Sequence, residues 1–263
     1  MSKASDIAAP ATVQQEDKSG DKASKTYFQA MVARFLRHRL AVAGLLVLMC
    51  IGTVVLLAPW IAPHDPYETD YAAFSAPPSS AHPLGTDSIG RDVLARLLYG
   101  GRVSLSVGLV ATSIGVLIGV PLGLLAGFRG GIVDAFIMRT ADTFMSVPAI
   151  MLILVLVAVI GPNIWSVMFV LGVLGWPHFA RLIRGGVLVT REREFVQAAH
   201  VIGASNLTIM FKHILPNAIA PVLVAATFRM AQAILLEASL SFLGMGVQPP
   251  QASWGNMLHD AQP

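Results

Sequence analysis

Long stretches of this chain contain no charge at all, and their lengths set the first expectations. No Asp, Glu, Lys, Arg or His lies between Arg39 and His64. That run is long enough to cross about 30 Å of hydrocarbon, so it predicts a first membrane span over 40–62. Val103–Phe128 is a second uncharged run. A third span is expected from Ile132 to Ile160, a fourth over 164–189 after the turn "GPN" at Gly161–Asn163, and a fifth over 217–243. The stretch from Gly244 onward is too broken by Pro, Gly and polar residues to cross. Residues 63–102 mix Pro, Ser, Gly and charges, which predicts an extramembrane loop with a short helix around Arg91–Tyr99. Residues 1–25 are polar with no periodic apolar face and are expected to be a disordered tail.

Two local patterns refine this outline. Gly115, Gly119, Gly123 and Gly127 recur every four residues, which places them on one helix face where another helix can approach closely. Pro121 lies in the same span and is expected to kink it. Between the fourth and fifth spans stands "EFVQAAHVIGASNLTIMFKHILPN", Glu194–Asn217, which is half polar. Phe195, Ala198, Ala199 and Ile202 fall at i, i+3, i+4 and i+7, and Leu207, Met210, Phe211 and Ile214 repeat the pattern. Gly203 is placed to cap the first helix in a left-handed conformation and Ser205 to cap the second, with Pro216 marking the departure into the fifth span. The segment therefore predicts a helix, a bend and another helix, each too short to cross a bilayer. Such a pair either lies on the lipid surface or fits a groove on a protein partner. A lipid-surface helix carries a dense Lys/Arg face, whereas this one has Lys212 and two His, which favours the partner.

Composition agrees with the membrane reading. The 263 residues are 55% hydrophobic and 13% charged, against about 25% charged in soluble domains, and the mean hydropathy is +0.67. A net charge of +3 could suggest nucleic acid, but the basic residues flank the apolar runs. Arg34, Arg37, Arg39, Arg129, Arg181, Arg184, Arg191, Arg193 and Lys212 cluster on one side, which by the positive-inside rule makes the N-terminus and the 194–216 segment cytoplasmic. Cys50 is the only cysteine, so disulfides and Cys-based metal sites are excluded, and it is expected to be a small buried apolar residue.

Candidate chemistry is sparse. There is no GxSxG, HExxH or GxGD, and no Walker lysine. His64 and His82 read as isolated, as does His259 beside Asp260, so no metal site is expected. Asp134, Arg139 and Asp142 fall at the end of the third span, where Arg139 and Asp142 are spaced to pair. Arg229 and Glu237 lie deeper, eight residues apart in the fifth span, either lining a central path or pairing with neighbouring helices. They would also suit an ion-coupled carrier, although such a carrier has no use for the bent element.

The segment "QAAHVIGASNLTIMFKHILP" resembles the EAA signature of binding-protein-dependent ABC importer permeases. Ala198, Ala199, Gly203, Leu215 and Pro216 sit in its register, while Gln197 replaces its Glu and His213 its Ile. "HPLGTDSIGRDVLARLLYGGRVSLSVG" (82–108) and "EASLSFLGMGVQPPQASWGNML" (237–258) resemble the first and last parts of the permease domain in the dipeptide, oligopeptide, glutathione and nickel branch, C-type subunit. The resemblance implies an all-α polytopic transmembrane bundle of the type I importer fold. It implies an anchor span and loop over 26–100 and a permease domain over 101–263. Such permeases have six spans, the last of which would follow Gln262, so five are expected here. The bent segment becomes a coupling helix, with Glu194, Phe195, Gln197, Ala198, Ala199, Gly203, Ala204, Phe211, Leu215 and Pro216 as the surface that docks on an ATPase. The implied partners are a homologous permease, two ATPase subunits that hold ATP and Mg, and an extracytoplasmic substrate-binding protein. The implied setting is the cytoplasmic membrane, with peptides as the leading substrate and nickel or glutathione as related ones.

Overall fold

The computed structural model describes residues 27–261; the polar stretch 1–25 lies outside them. Residues up to Gly52 and residues from Thr53 onward form separate compact units. The first holds α1 (Tyr27–Arg37) and most of α2 (Arg39–Leu56), joined at His38. Cys50 is exposed on α2, not buried as expected. The run around it is uncharged on every face, so sequence pattern could not tell which face turns outward.

In the second unit, the short α3 (Ala58–Ile61) leads into the 62–92 loop, and then α4 runs unbroken over 37 residues from Val93 to Arg129. The separate short helix expected near Arg91–Tyr99 is the first part of α4. Asp92 caps it, its carboxylate accepting from Ala95 N at 2.7 Å. α4 continues through Pro121. At 1.5 Å per residue it is about 55 Å long, more than a hydrocarbon core requires.

The third span is not one straight helix. α5 (Gly131–Ser146) and α6 (Ala149–Ile160) meet at 89°. Val147 precedes Pro148 and is extended, with φ −94° and ψ 135°. Proline disfavours helical geometry in the residue before it and contributes no N–H, so the helix stops there. α7 (Ile164–Thr190) and α11 (Ala220–Phe242) complete the apolar helices. Four helices are long and apolar enough to span, or five elements if the bent pair counts as one. Among the described residues there is no strand ladder, only an isolated bridge between Thr86 and Asp92.

Packing explains the glycine spacing. α4 and α7 make the most extensive helix pairing. A Cβ on Gly115 would lie 3.1 Å from Phe179, and one on Gly119 would lie 2.5 Å from Trp176 O. Gly123 faces Ala180 and Ile183, and Gly127 faces Val187. Positions on both helices advance together, so α4 and α7 run parallel with backbones nearly touching. α11 runs the other way along α4, because Ser104 meets Glu237 while Gly108 meets Met230 and Ile234.

Candidate functional site

The two ends of α4 carry different assemblies. At its start, residues after Leu243 fold back over the bundle and α12 (Trp254–Asp260) packs on α4. A Cβ on Gly100 would lie 3.2 Å from the Ser253 backbone, and Trp254 Nε1 donates to Leu97 O at 3.1 Å. Fully buried Glu237 is the hub beneath. Ser104 Oγ donates to it at 3.0 Å and Ser241 Oγ at 2.7 Å, while Ser104 Oγ accepts from Trp254 N at 3.2 Å. Asp260 receives Arg96 at 3.2 Å and Arg91 at 3.4 Å, and Arg91 Nε also bonds Asp87 at 2.7 Å. Burial pushes the Asp87 carboxyl up. The backbone N–H and guanidinium of Arg91, with the Ile89 N–H, outweigh that and hold it below the usual carboxylate range.

His64 and His82 are not isolated: they stack with ring centroids 4.7 Å apart beside Asp92. Loop folding, invisible to spacing along the chain, brings together residues 18 and 10 positions apart. The hydrogen bond to Asp92 raises the His82 imidazole above its ordinary pKa, against desolvation that lowers it and with help from Asp70.

At the far end of α4 lies the bent segment. α8 (Glu194–Val201) stops at Gly203, whose φ of +81° is a left-handed conformation that glycine adopts without strain. Ser205 caps α9 (Asn206–Thr208). The chain then winds as a π-helix over Ile209–Ile214 into α10 (Leu215–Ala218), and α11 begins at Ala220. The second element is therefore a wide-wound lead into the fifth span, not the separate helix that its 3.6 period suggested.

The expected stripe is split between two faces: Ala199, Met210 and Ile214 turn inward, while Phe195, Ala198, Ile202, Leu207 and Phe211 turn outward. Val196, Ala199, Ile209, Met210 and Ile214 are buried with Leu124, Ile183 and Val187. Phe195, Gln197, Ala198, Gly203, Phe211 and Pro216 are exposed, as is Glu194, while Ala204 and Leu215 are half-buried. Ala199 thus braces the element against its own bundle. The exposed apolar surface includes Ile202 of the expected stripe, at 83% exposure, and its neighbour Val201, at 87%, which periodicity did not select. Their run with the exposed glycine was the available signal. Arg191 fixes the base of the element: Nη1 donates to Gly127 O at the end of α4 at 3.0 Å.

The membrane-depth charges pair differently from expectation. Arg184 grips Asp134 through two bonds of 2.5 and 2.6 Å, and Arg181 takes Asp142 at 2.5 Å. Asp142 therefore binds across to α7 and not to Arg139 on its own helix. Arg229 and Glu237 are not brought together. Arg229 donates to Gln232 at 3.2 Å and, with His178, lines a cavity of about 410 Å³ beside the α5–α6 break.

A helical bundle of spanning length, with folded segments at both ends and sparse internal charge, defines a multi-pass membrane protein. Residues 119–263 match the family described as the binding-protein-dependent transport system inner membrane component. Residues 26–78 match the N-terminal transmembrane domain of oligopeptide transport permease C. A peptide permease protein of Brucella suis is 44% identical over 229 residues, covering 87% of this chain and 76% of the relative. The glutathione transport permease GsiD of Pectobacterium atrosepticum is 41% identical, covering 92% of this chain and 81% of the relative. An inward-facing structure of the MetNI methionine ABC transporter superposes with a TM-score of 0.50 at 23% identity, over 56% of this chain and 74% of that one; this likeness speaks to fold alone. The chain belongs to the binding-protein-dependent ABC importer permeases, as a C-type subunit.

Proposed function

We propose that this permease subunit moves di- or oligopeptides inward, and that residues 194–216 couple it to a cytoplasmic ATPase. The observation that carries this reading is the two-faced construction of the bent segment. Its inner side is packed into the bundle, and its outer side presents Phe195, Val201, Ile202, Leu207 and Phe211 to a groove on another protein. A short helix with an exposed apolar edge and few cations suits a protein groove better than a lipid surface. The partners are a homologous permease, two ATPase subunits supplying ATP hydrolysis with Mg, and an extracytoplasmic binding protein that meets the 62–92 and 244–260 segments. The N-terminus is cytoplasmic, in accord with the Arg-rich end of the bundle. Arg229 and His178 line the path. Peptide is the substrate class because the relatives named above include a peptide permease.

The test is Gly203→Asp. Asp tolerates the left-handed conformation better than most residues, and a side chain there meets open space. The fold should therefore persist while a charge enters the docking edge. Membrane insertion stays normal and uptake of labelled dipeptide in whole cells falls at least about tenfold, the effect of about 1.4 kcal/mol lost from coupling. Normal uptake with normal insertion overturns the coupling assignment.

A further inference from the structure

Both imidazoles of the 62–92 loop turn the same nitrogen to one carboxylate oxygen. Asp92 Oδ2 lies 2.9 Å from His82 Nδ1 and 3.6 Å from His64 Nδ1. The longer separation is no hydrogen bond. One donor atom from each of the three residues fits within a 4.8 Å set.

We propose that His64, His82 and Asp92 bind one borderline divalent cation of the zinc type, clipping the exit of α3, the middle of the loop and the first turn of α4 to one another. Two imidazoles and a carboxylate are a donor set suited to such ions, and bonds near 2.1 Å in tetrahedral arrangement separate ligand atoms by about 3.4 Å. The two separations to Asp92 bracket that value, and because all three ligand atoms lie within 4.8 Å of one another, the imidazoles need to draw together by at most about 1.4 Å to close the set around one ion.

The surroundings are built for it. Asp92 is almost wholly buried and its other oxygen is fixed by Ala95 N at 2.7 Å, which leaves Oδ2 pointed at the imidazoles. Asp70 Oδ2 stands 3.5 Å from His82 Nε2, on the side of the ring away from Asp92. A carboxylate behind a ligating histidine is the usual outer support of such sites, fixing its tautomer and orientation. A cavity of about 450 Å³, lined by Glu68, Tyr71 and the four residues above, adjoins the cluster and leaves room for water as a fourth ligand. This proposal does not depend on the coupling assignment, which concerns the opposite end of α4.

The test uses the full chain, purified without a polyhistidine tag, stripped with chelator and titrated with Zn²⁺ by equilibrium dialysis. Co²⁺ serves as an optical probe of tetrahedral coordination. One equivalent is expected to bind. His64→Ala and Asp92→Asn remove it; Asn retains the helix cap, and His64 is partly exposed, so matched helical content and melting in the variants show that they fold. Asp70→Asn weakens binding by roughly 10–100-fold. Absence of stoichiometric binding, or binding of equal strength in His64→Ala and Asp92→Asn, overturns the site.

Discussion

Gly119 offers the sharpest measurement of how closely α4 and α7 approach. An added Cβ would lie 2.5 Å from Trp176 O, 2.7 Å from Phe179 Cβ and 3.0 Å from Ala180 N. Two of those three atoms are backbone, so no rotamer change relieves them. Restoring an ordinary C···O separation of about 3.3 Å requires the helices to part by about 0.8 Å. Alanine is favoured over glycine in a helix by about 1 kcal/mol, while overpacking of this kind costs about 1–3 kcal/mol. Gly119→Ala should therefore destabilise the chain by up to about 2 kcal/mol. Gly185→Ala is the matched control: it lies in α7, has nothing within 4 Å of the added atom, and should stabilise by up to about 1 kcal/mol. The assay is denaturant titration of the purified chain in mild detergent, following helical signal. The two variants should move the midpoint in opposite directions. Movement of both in the same direction by similar amounts would refute the argument that backbone proximity fixes glycine at this position.

Two further expectations concern the other end of α4. Glu237→Ala removes a buried carboxyl group that accepts from both Ser104 and Ser241; each buried hydrogen-bonding group left without its partner costs about 1–3 kcal/mol. A loss of about 3 kcal/mol is expected in the same titration, and a loss under about 1 kcal/mol contradicts the hub. Asp87 gives a pH signature. Its folded pKa is depressed, so its contribution is full above the unfolded carboxyl value of about 4 and is lost as pH falls through the lower folded value. The melting difference between wild type and Asp87→Asn should be constant from neutral pH down to about 5 and shrink below about 4; a difference that grows on acidification contradicts this sign.

What the chain discloses depends on how a signal is encoded. Uncharged runs locate α2 and most of α4, and sparsely charged apolar runs locate α7 and α11, because transfer of charge into hydrocarbon is costly on any face. The four-residue glycine period marks a close helix pairing because only missing side chains permit it. The φ of Gly203 follows from the need to end a short helix with a reversal. Faces are harder. Val196 and Ala199 point inward while Ile202 points out, and since all three are apolar, apolar character alone does not orient the element. The 89° turn at Val147 was written in Pro148, but hydropathy averaged over the run conceals a single proline. The partners of Asp134 and Asp142 are on α7, 50 and 39 residues away, and local spacing finds only pairs on one helix. The His64–His82–Asp92 cluster depends wholly on the path of an irregular loop.

The placement of the bent segment constrains how any force on it can travel. Its two ends continue into different helices: Thr190 of α7 lies three residues before Arg193, which precedes α8, and the π-wound Ile209–Ile214 feeds through α10 into α11. Its buried side chains meet residues of α4 and α7, and Arg191 adds a bond to the last turn of α4. A push on the exposed edge therefore cannot be taken up by a free loop; it loads three helices at once. The Gly119 contact ties α4 to α7 near mid-length, and Glu237 ties α11 to α4 at the opposite end. Packed interfaces shift between discrete arrangements more readily than they deform, so these three helices should move nearly as one body. Of the bent α5–α6 pair, α5 is held to α4 and α7 by packing and by the Asp134 and Asp142 ion pairs, whereas the shorter, wholly apolar α6 contacts α7 alone among the major helix pairings. The Arg229 and His178 cavity lies against that break. Motion of α6 relative to the three helices would change the cavity's walls, which Ala149, Leu152 and Ile153 help to form, while leaving the bent segment's own packing intact, which is the division of labour that ATP-coupled movement of a solute requires.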